Sequence, residues 1–166
     1  FEAAKKEPWF QNTIFIITAD HTNQIRYSEY RKPMNRLAVP IMIYSPNGEF
    51  TGTQTELAQQ IDIYPTIIDM VGYNKPFRSW GRSLISDKPV KVAPFVVSSM
   101  GQNYMYSEGD IICIFDGVKA IGFYDINDLG LESNLISNRT AEMDAVELAC
   151  KAFLKDYFDR IIDRNL

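Results

Sequence analysis

One histidine and two cysteines are all that 166 residues offer in imidazole and thiol. With no C-x-x-C pair and no histidine cluster, zinc-finger and thioredoxin-like readings have nothing to stand on. Cys113 sits in an apolar strand-like run and Cys150 in a helix-like one, so both read as plain buried thiols. Positive charge is scarce as well: 17 Lys and Arg against 21 Asp and Glu give a net charge of −4. That leaves no basic surplus to hold a phosphate backbone, and nucleic acid is excluded as a partner. No apolar run approaches the ~18 residues of a membrane span. Internal repeats, low-complexity tracts and flexible linkers are missing too.

What is there is ordinary globular material. A 46% hydrophobic and 23% charged composition argues against disorder. A chain of this length buries roughly 70% of its unfolded surface, enough for one domain without staples. The first residue is Phe1, and residues 1–7 are rich in helix formers without an N-cap. They read as the last turns of a helix stopped by Pro8. The chain is therefore expected to be the C-terminal part of a longer protein, in which the lack of a targeting segment carries no meaning.

Two short apolar runs, NTIFIIT (12–18) and AVPIMIY (38–44), have the near-continuous character of strands buried on both faces of a parallel sheet. Ser45-Pro46-Asn47-Gly48 is a turn signal. Residues 62–72 predict a short amphipathic helix, with Asp62 as N-cap, Pro65 in the first turn and Gly72 at C′. Its apolar face, Ile63, Ile67, Met70 and Val71, is expected to pack on the sheet. Residues 94–99, 104–107, 111–115 and 118–124 predict short strands. Turns at Glu108-Gly109-Asp110 and Asp116-Gly117 make residues 104–124 a small antiparallel sheet. Residues 140–164 predict a long helix on the spacing of Met143, Val146, Cys150, Phe153, Tyr157 and Ile161. The expected class is α/β: a parallel-type sheet with flanking helices, plus a small antiparallel sheet and a long C-terminal helix.

Thr18-Ala19-Asp20-His21-Thr22 follows the first predicted strand. Ligands of open α/β sheets bind beyond the carboxyl ends of strands. A carboxylate beside an imidazole there can supply two ligands to a divalent ion. The mixed oxygen and nitrogen set favours Mn or Zn, with Mg or Ca behind them. The bland alternative is a turn in which Asp20 caps a helix or makes an Asx-turn. Two ligands do not complete a shell, and no third is obvious.

The wider text resembles the C-terminal half of the sulfatase branch of the alkaline phosphatase superfamily. Residues 12–21, NTIFIITADH, resemble that family's buried strand ending in a metal-binding Asp-His pair. VPIMIYSP (39–46) resembles its next strand, and QIDIYPTII (60–68) its Asp-x-x-Pro-Thr helix. Gly81-Arg82-Ser83-Leu84 resembles its Gly-Arg-Ser-Leu loop, and FYDI (123–126) followed by Glu132-Ser133-Asn134-Leu135 its late strand and tail. Five resemblances occur in order. Within the superfamily the chain is most similar to the lipoteichoic acid synthase-like phosphoglycerol and phosphoethanolamine transferases. Asp-His in place of Asp-Asn, Thr22 in place of Gly, and the segment from Phe77 to Leu84 carry that choice.

The resemblance implies a fragment of the alkaline phosphatase-like fold. Residues 1–92 would be the C-terminal portion of the metal-binding domain, and 93–166 the antiparallel strands and terminal helix of the same domain. It implies Asp20 and His21 as metal ligands, and a catalytic nucleophile that lies upstream of Phe1 and is absent here. The implied substrates are a phosphoglycerolipid or another phosphate or sulfate ester. The parent would be membrane-anchored and extracytoplasmic, on the outer face of the cytoplasmic membrane or in the periplasm, although this chain spans no membrane. A sulfuric ester hydrolase and a non-catalytic binding domain are the alternatives.

Other residues are assigned structural roles. Thr18 and Thr22 are expected to bond backbone, Arg36 to lie at the surface or cap a strand, and Arg82 to fix a loop through carbonyls. Trp9, Trp80 and the tyrosines of 104–124 are expected in core or hairpin pairs. Asn138-Arg139-Thr140 matches a glycosylation sequon, but helix capping explains it equally well.

Overall fold

The structure is a computed structural model and describes residues 1–21, 26–86 and 93–163. It divides into two compact units, Phe1–Thr55 and Glu56–Leu166.

The first unit is built on an aromatic cluster. A single 3-10 turn, Ala4–Lys6, stands where a longer helix was expected, and Glu7 is already extended ahead of Pro8. A second turn, Phe10–Asn12, buries Phe10. Strand β1 (Phe15–Ile17) and strand β2 (Met42–Tyr44) then pair, with Ile16 opposite Ile43. Phe15 gathers Phe1 at 5.0 Å, Phe10 at 5.4 Å and Tyr44 at 6.0 Å between ring centroids. The pairing is antiparallel, which corrects the expected parallel-type sheet. Parallel neighbours need a crossover, usually a helix. Between β1 and β2 the described residues form only the 3-10 turns Ser28–Arg31 and Pro33–Asn35. Nor are the strands buried on both faces: Ile17 and Met42 are exposed. The turn at 45–48 forms as predicted, the Gly48 N–H donating to the Ser45 carbonyl at 3.0 Å with φ +70° at Gly48.

The second unit opens with a 3-10 turn, Gln60–Asp62, leading into helix α1 (Ile63–Met70). The helical entry therefore lies a turn earlier than the sequence suggested, with Gln59 as the N-cap of a capping box. Asp62 works from inside that turn: its Oδ2 accepts the Gln59 N–H at 2.9 Å. At the other end Gly72 takes φ +66°. Its N–H reaches the Asp69 carbonyl and the Tyr73 N–H reaches Ile68, the paired bonds of a Schellman stop. The expected apolar contact face is not the buried one. Ile67 and Val71 are exposed, while Asp62, Pro65 and Thr66 are buried.

The polar side of α1 holds residues 81–84. Asp62 Oδ1 accepts the Arg82 N–H at 2.9 Å, Thr66 Oγ1 accepts the Leu84 N–H at 3.0 Å, and the Ser83 hydroxyl donates to Asp69 at 2.7 Å. The spacing explains the fit. Four helical residues rise about 6.0 Å and two extended residues advance about 6.6 Å, so Asp62 and Thr66 match alternate amides.

Strands β3 (Phe95–Met100), β4 (Asn103–Glu108), β5 (Ile111–Phe115) and β6 (Ala120–Asp125) form an antiparallel meander in chain order. The expected sheet of 104–124 thus gains β3 as a fourth strand. Glycines at positive φ make its tight turns, at Gly101, Gly109 and Gly117. The continuous apolar text of β5 reflects its central place, with Ile112, Cys113, Ile114 and Phe115 all buried. Helix α2 (Ala141–Asp163) lays Met143, Val146, Cys150 and Leu154 on Phe95, Tyr106, Cys113, Phe115 and Phe123. Ile161, predicted on the same stripe, is exposed. Arg164, the last residue of the predicted helix, lies outside the described residues.

Buried Glu147 fastens α2 to the sheet. Its carboxylate accepts the Ala120 N–H at 3.1 Å and pairs with Lys151 at 2.6 Å and with Arg139. Burial pushes this carboxyl up, but Lys151, Arg139 and the Ala120 N–H outweigh it and hold it at about 2.

Two outcomes test this arrangement. A Cβ at Gly81 would stand 2.2 Å from the Ile61 carbonyl oxygen and 2.7 Å from Asp62 Oδ1. Gly81→Ala should therefore cost about 2–3 kcal/mol in a urea titration; a loss within experimental error would contradict the clasp. Glu147, with a folded pKa of about 2 against an ordinary 4.5, contributes its stability above that ordinary value and loses it as pH falls toward 2. The acid limb should amount to about 3 kcal/mol and be flattened in Glu147→Gln.

Candidate metal site

Asp20 and His21 stand three and four residues beyond the end of β1, where the chain leaves the ladder. Both are exposed, with side-chain exposures of 87% and 63%. Asp20 Oδ1 accepts the His21 N–H at 2.8 Å, and its Oδ2 lies 3.5 Å from His21 Nε2. Among the described residues the carboxylate caps no helix; it bonds its neighbour's N–H and keeps one oxygen beside the imidazole.

The fit to a divalent ion is decided by that separation. Zinc bound at about 2.0–2.2 Å in a tetrahedral shell places neighbouring donors about 3.3–3.6 Å apart. Oδ2 and Nε2 fit one edge of such a shell, and one oxygen with one nitrogen suits Zn or Mn. Among the described residues no group of three His, Cys, Asp or Glu side chains is placed to hold a metal, so the pair could supply at most one edge of a shell. Thr18 bonds backbone, its hydroxyl meeting the Ala19 carbonyl at 3.4 Å. Thr22 lies outside the described residues.

The other flagged residues take structural places. Arg36 is exposed just after the Pro33–Asn35 turn. Arg82 fixes a loop through a carbonyl, as expected: Nη2 donates to Leu57 O at 2.9 Å and pairs with Glu56 at 3.0 Å. Trp80 packs against Phe153 and Tyr157, and its Nε1 donates to Asp156 at 2.6 Å. Tyr106 stacks on Phe95. Trp9 is half exposed beside Phe15. Thr140 of the sequon caps α2, its hydroxyl accepting the Met143 N–H at 3.3 Å, and Arg139 serves the Glu147 network. Burial pushes the Cys113 thiol up to about 12 and that of Cys150 up to about 11. Both are inert free thiols.

Sequence reasoning missed the carboxamides of Gln59 and Asn134, which bond across long chain separations. Asn134 lay in a quoted motif, but Gln59 carried no local signal.

Comparison with known proteins gives a family match. Residues 1–73 match the sulfatase family model. The match includes β1, the Asp20-His21 pair, β2 and α1, and it supports the sulfatase/alkaline phosphatase superfamily. No curated protein and no solved structure gives a significant match.

Because Arg82 is spent on Leu57 and Glu56, Arg82→Ala should lower stability by about 1–2 kcal/mol and leave metal affinity unchanged. A calorimetric melt with a parallel manganese titration checks this; a loss of affinity without loss of stability would contradict it.

Proposed function

We propose that this chain is the C-terminal part of a longer, metal-dependent sulfatase-fold enzyme acting on phosphate esters. The observation that carries the reading is the 3.5 Å pairing of Asp20 Oδ2 with His21 Nε2, inside the segment that matches the sulfatase family. Asp20 and His21 would hold a Mn or Zn ion, with the remaining ligands upstream. The ion supplies charge neutralisation at the transferred group and a lowered pKa for the attacking group.

This chain's own part is to present the two donors. The His21 N–H bond to Oδ1 orients the Asp20 carboxylate, so that Oδ2 is kept beside the imidazole. The nucleophile would belong to the upstream part, where its attack on phosphorus breaks the donor's P–O bond and releases the lipid alcohol; an acceptor hydroxyl then attacks the covalent intermediate and frees the nucleophile. The Asp-His pair, Thr22 and the segment from Phe77 to Leu84 favour transfer of a phosphoglycerol- or phosphoethanolamine-type group from a lipid donor. With such a donor the parent would act at the outer face of a membrane. The family match on residues 1–73 favours a second reading, sulfate ester hydrolysis by the same metal centre.

The test is made on the full-length protein supplied with Mn. Release of glycerophosphate or phosphoethanolamine from lipid is compared with cleavage of an aryl sulfate, wild type beside His21→Ala. Lipid turnover that falls at least about a hundredfold in the variant supports transfer. Sulfate cleavage lost in the variant supports the second reading, and activity unchanged in the variant overturns the metal role. The 166-residue chain alone should bind metal weakly and turn over neither ester.

A further inference from the structure

The four-stranded sheet has two edges, β3 and β6, and a side-chain carboxamide sits on each. On β3, Gln59 Nε2 donates to the Phe95 carbonyl at 2.7 Å and its Oε1 accepts the Val97 N–H at 3.2 Å. On β6, Asn134 Nδ2 donates to the Ile121 carbonyl at 3.3 Å and its Oδ1 accepts the Phe123 N–H at 3.2 Å. The two contacts have one pattern. Each amide joins the carbonyl of residue i to the N–H of residue i+2, as a single residue of a parallel neighbouring strand would. The following residue extends the second contact, the Leu135 N–H donating to the Phe123 carbonyl at 2.8 Å.

Both amides are held in place from behind. Gln59 is the N-cap residue whose own N–H is bound by buried Asp62. Asn134 Oδ1 also accepts the Ile136 N–H at 3.0 Å, and it lies over Gly122, where a Cβ would stand 3.1 Å from Nδ2.

Exposed edges pair with other chains unless a charge, a proline, a bulge or a cover prevents it. Strand β3 reads Phe-Val-Val-Ser-Ser-Met. It has no charge, proline or glycine, and its β-rich six-residue text is the kind that stacks into extended sheets. Strand β6 carries a register shift near Phe115 and Ala120 and a single charge, Asp125, at its end.

We propose that Gln59 and Asn134 close the two edges of this sheet against strand pairing with a second copy of the chain. Each occupies a carbonyl and an N–H that an incoming strand needs; on β3 the strand text supplies no other guard, and on β6 Asn134 adds to the register shift.

The test compares alanine with lysine at both positions in the full chain. Either substitution removes the amide and its bonds; only lysine adds the charge that blocks an edge. Sedimentation velocity should show Gln59→Ala and Asn134→Ala self-associating at about tenfold lower concentration than wild type. Gln59→Lys and Asn134→Lys, equally destabilised by thermal melt, should sediment as wild type does. Alanine variants no more associated than wild type would overturn the proposal, and so would alanine and lysine variants associating equally. Hydrogen exchange on the unaltered chain gives a second reading that needs no variant to fold. The Val97 and Phe123 amides should be protected, and exchange at open-edge rates would overturn the proposal.

Discussion

Asp62 is the side chain through which the second unit is joined. Its two oxygens accept backbone N–H groups from opposite directions, Gln59 at one and Arg82 at the other. The first bond fixes the start of α1 and aims the Gln59 carboxamide at β3. The second brings residues 81–84 across the helix, where Thr66 and Asp69 take up the next donors. Thr66 is itself anchored, its hydroxyl donating to the Asp62 carbonyl at 2.6 Å. A buried carboxylate is costly unless each oxygen finds a donor, and here both donors are backbone amides.

This clasp sets which way α1 faces. Of the side that a hydrophobicity pattern assigns to the core, Ile67 and Val71 are exposed because the opposite side is committed to hydrogen bonds. A polar face can be the buried face when an extended segment offers amides at matching intervals. Helix α2 behaves in the ordinary way over Met143, Val146, Cys150 and Leu154. Its Glu147 reaches beyond the apolar stripe to the Ala120 N–H, where the β5–β6 ladder slips register. Arg139 ties Glu147 to the Phe123 ring, 5.0 Å beneath its guanidinium.

The elements with local signals were legible in the sequence. Strand β5, the glycine turns, the Gly72 stop and the long terminal helix follow from period, turn residues and caps, and the structure has them. The loop role of Arg82 and the buried thiols were legible too. What could not be read was non-local. The direction of β1 against β2 depends on the crossover, and the buried side of α1 depends on a segment about twenty residues further on. The amides on the sheet edges depend on partners as far as Gln59 is from Val97. Asp20 and His21 stood out because a lone histidine beside a carboxylate at a strand end is rare chemistry in this chain. Their 3.5 Å approach adds geometry to that signal.

The functional account comes down to one bond, from a divalent metal to the His21 imidazole in the full-length protein. Loading that protein with Mn and recording pulsed electron spin echo modulation reads coordinated nitrogen directly. The account predicts nitrogen modulation in the wild type that disappears in His21→Gln while manganese is still retained by the other ligands. Modulation of equal depth in wild type and His21→Gln would contradict it, because the ion would then owe nothing to this chain's only histidine.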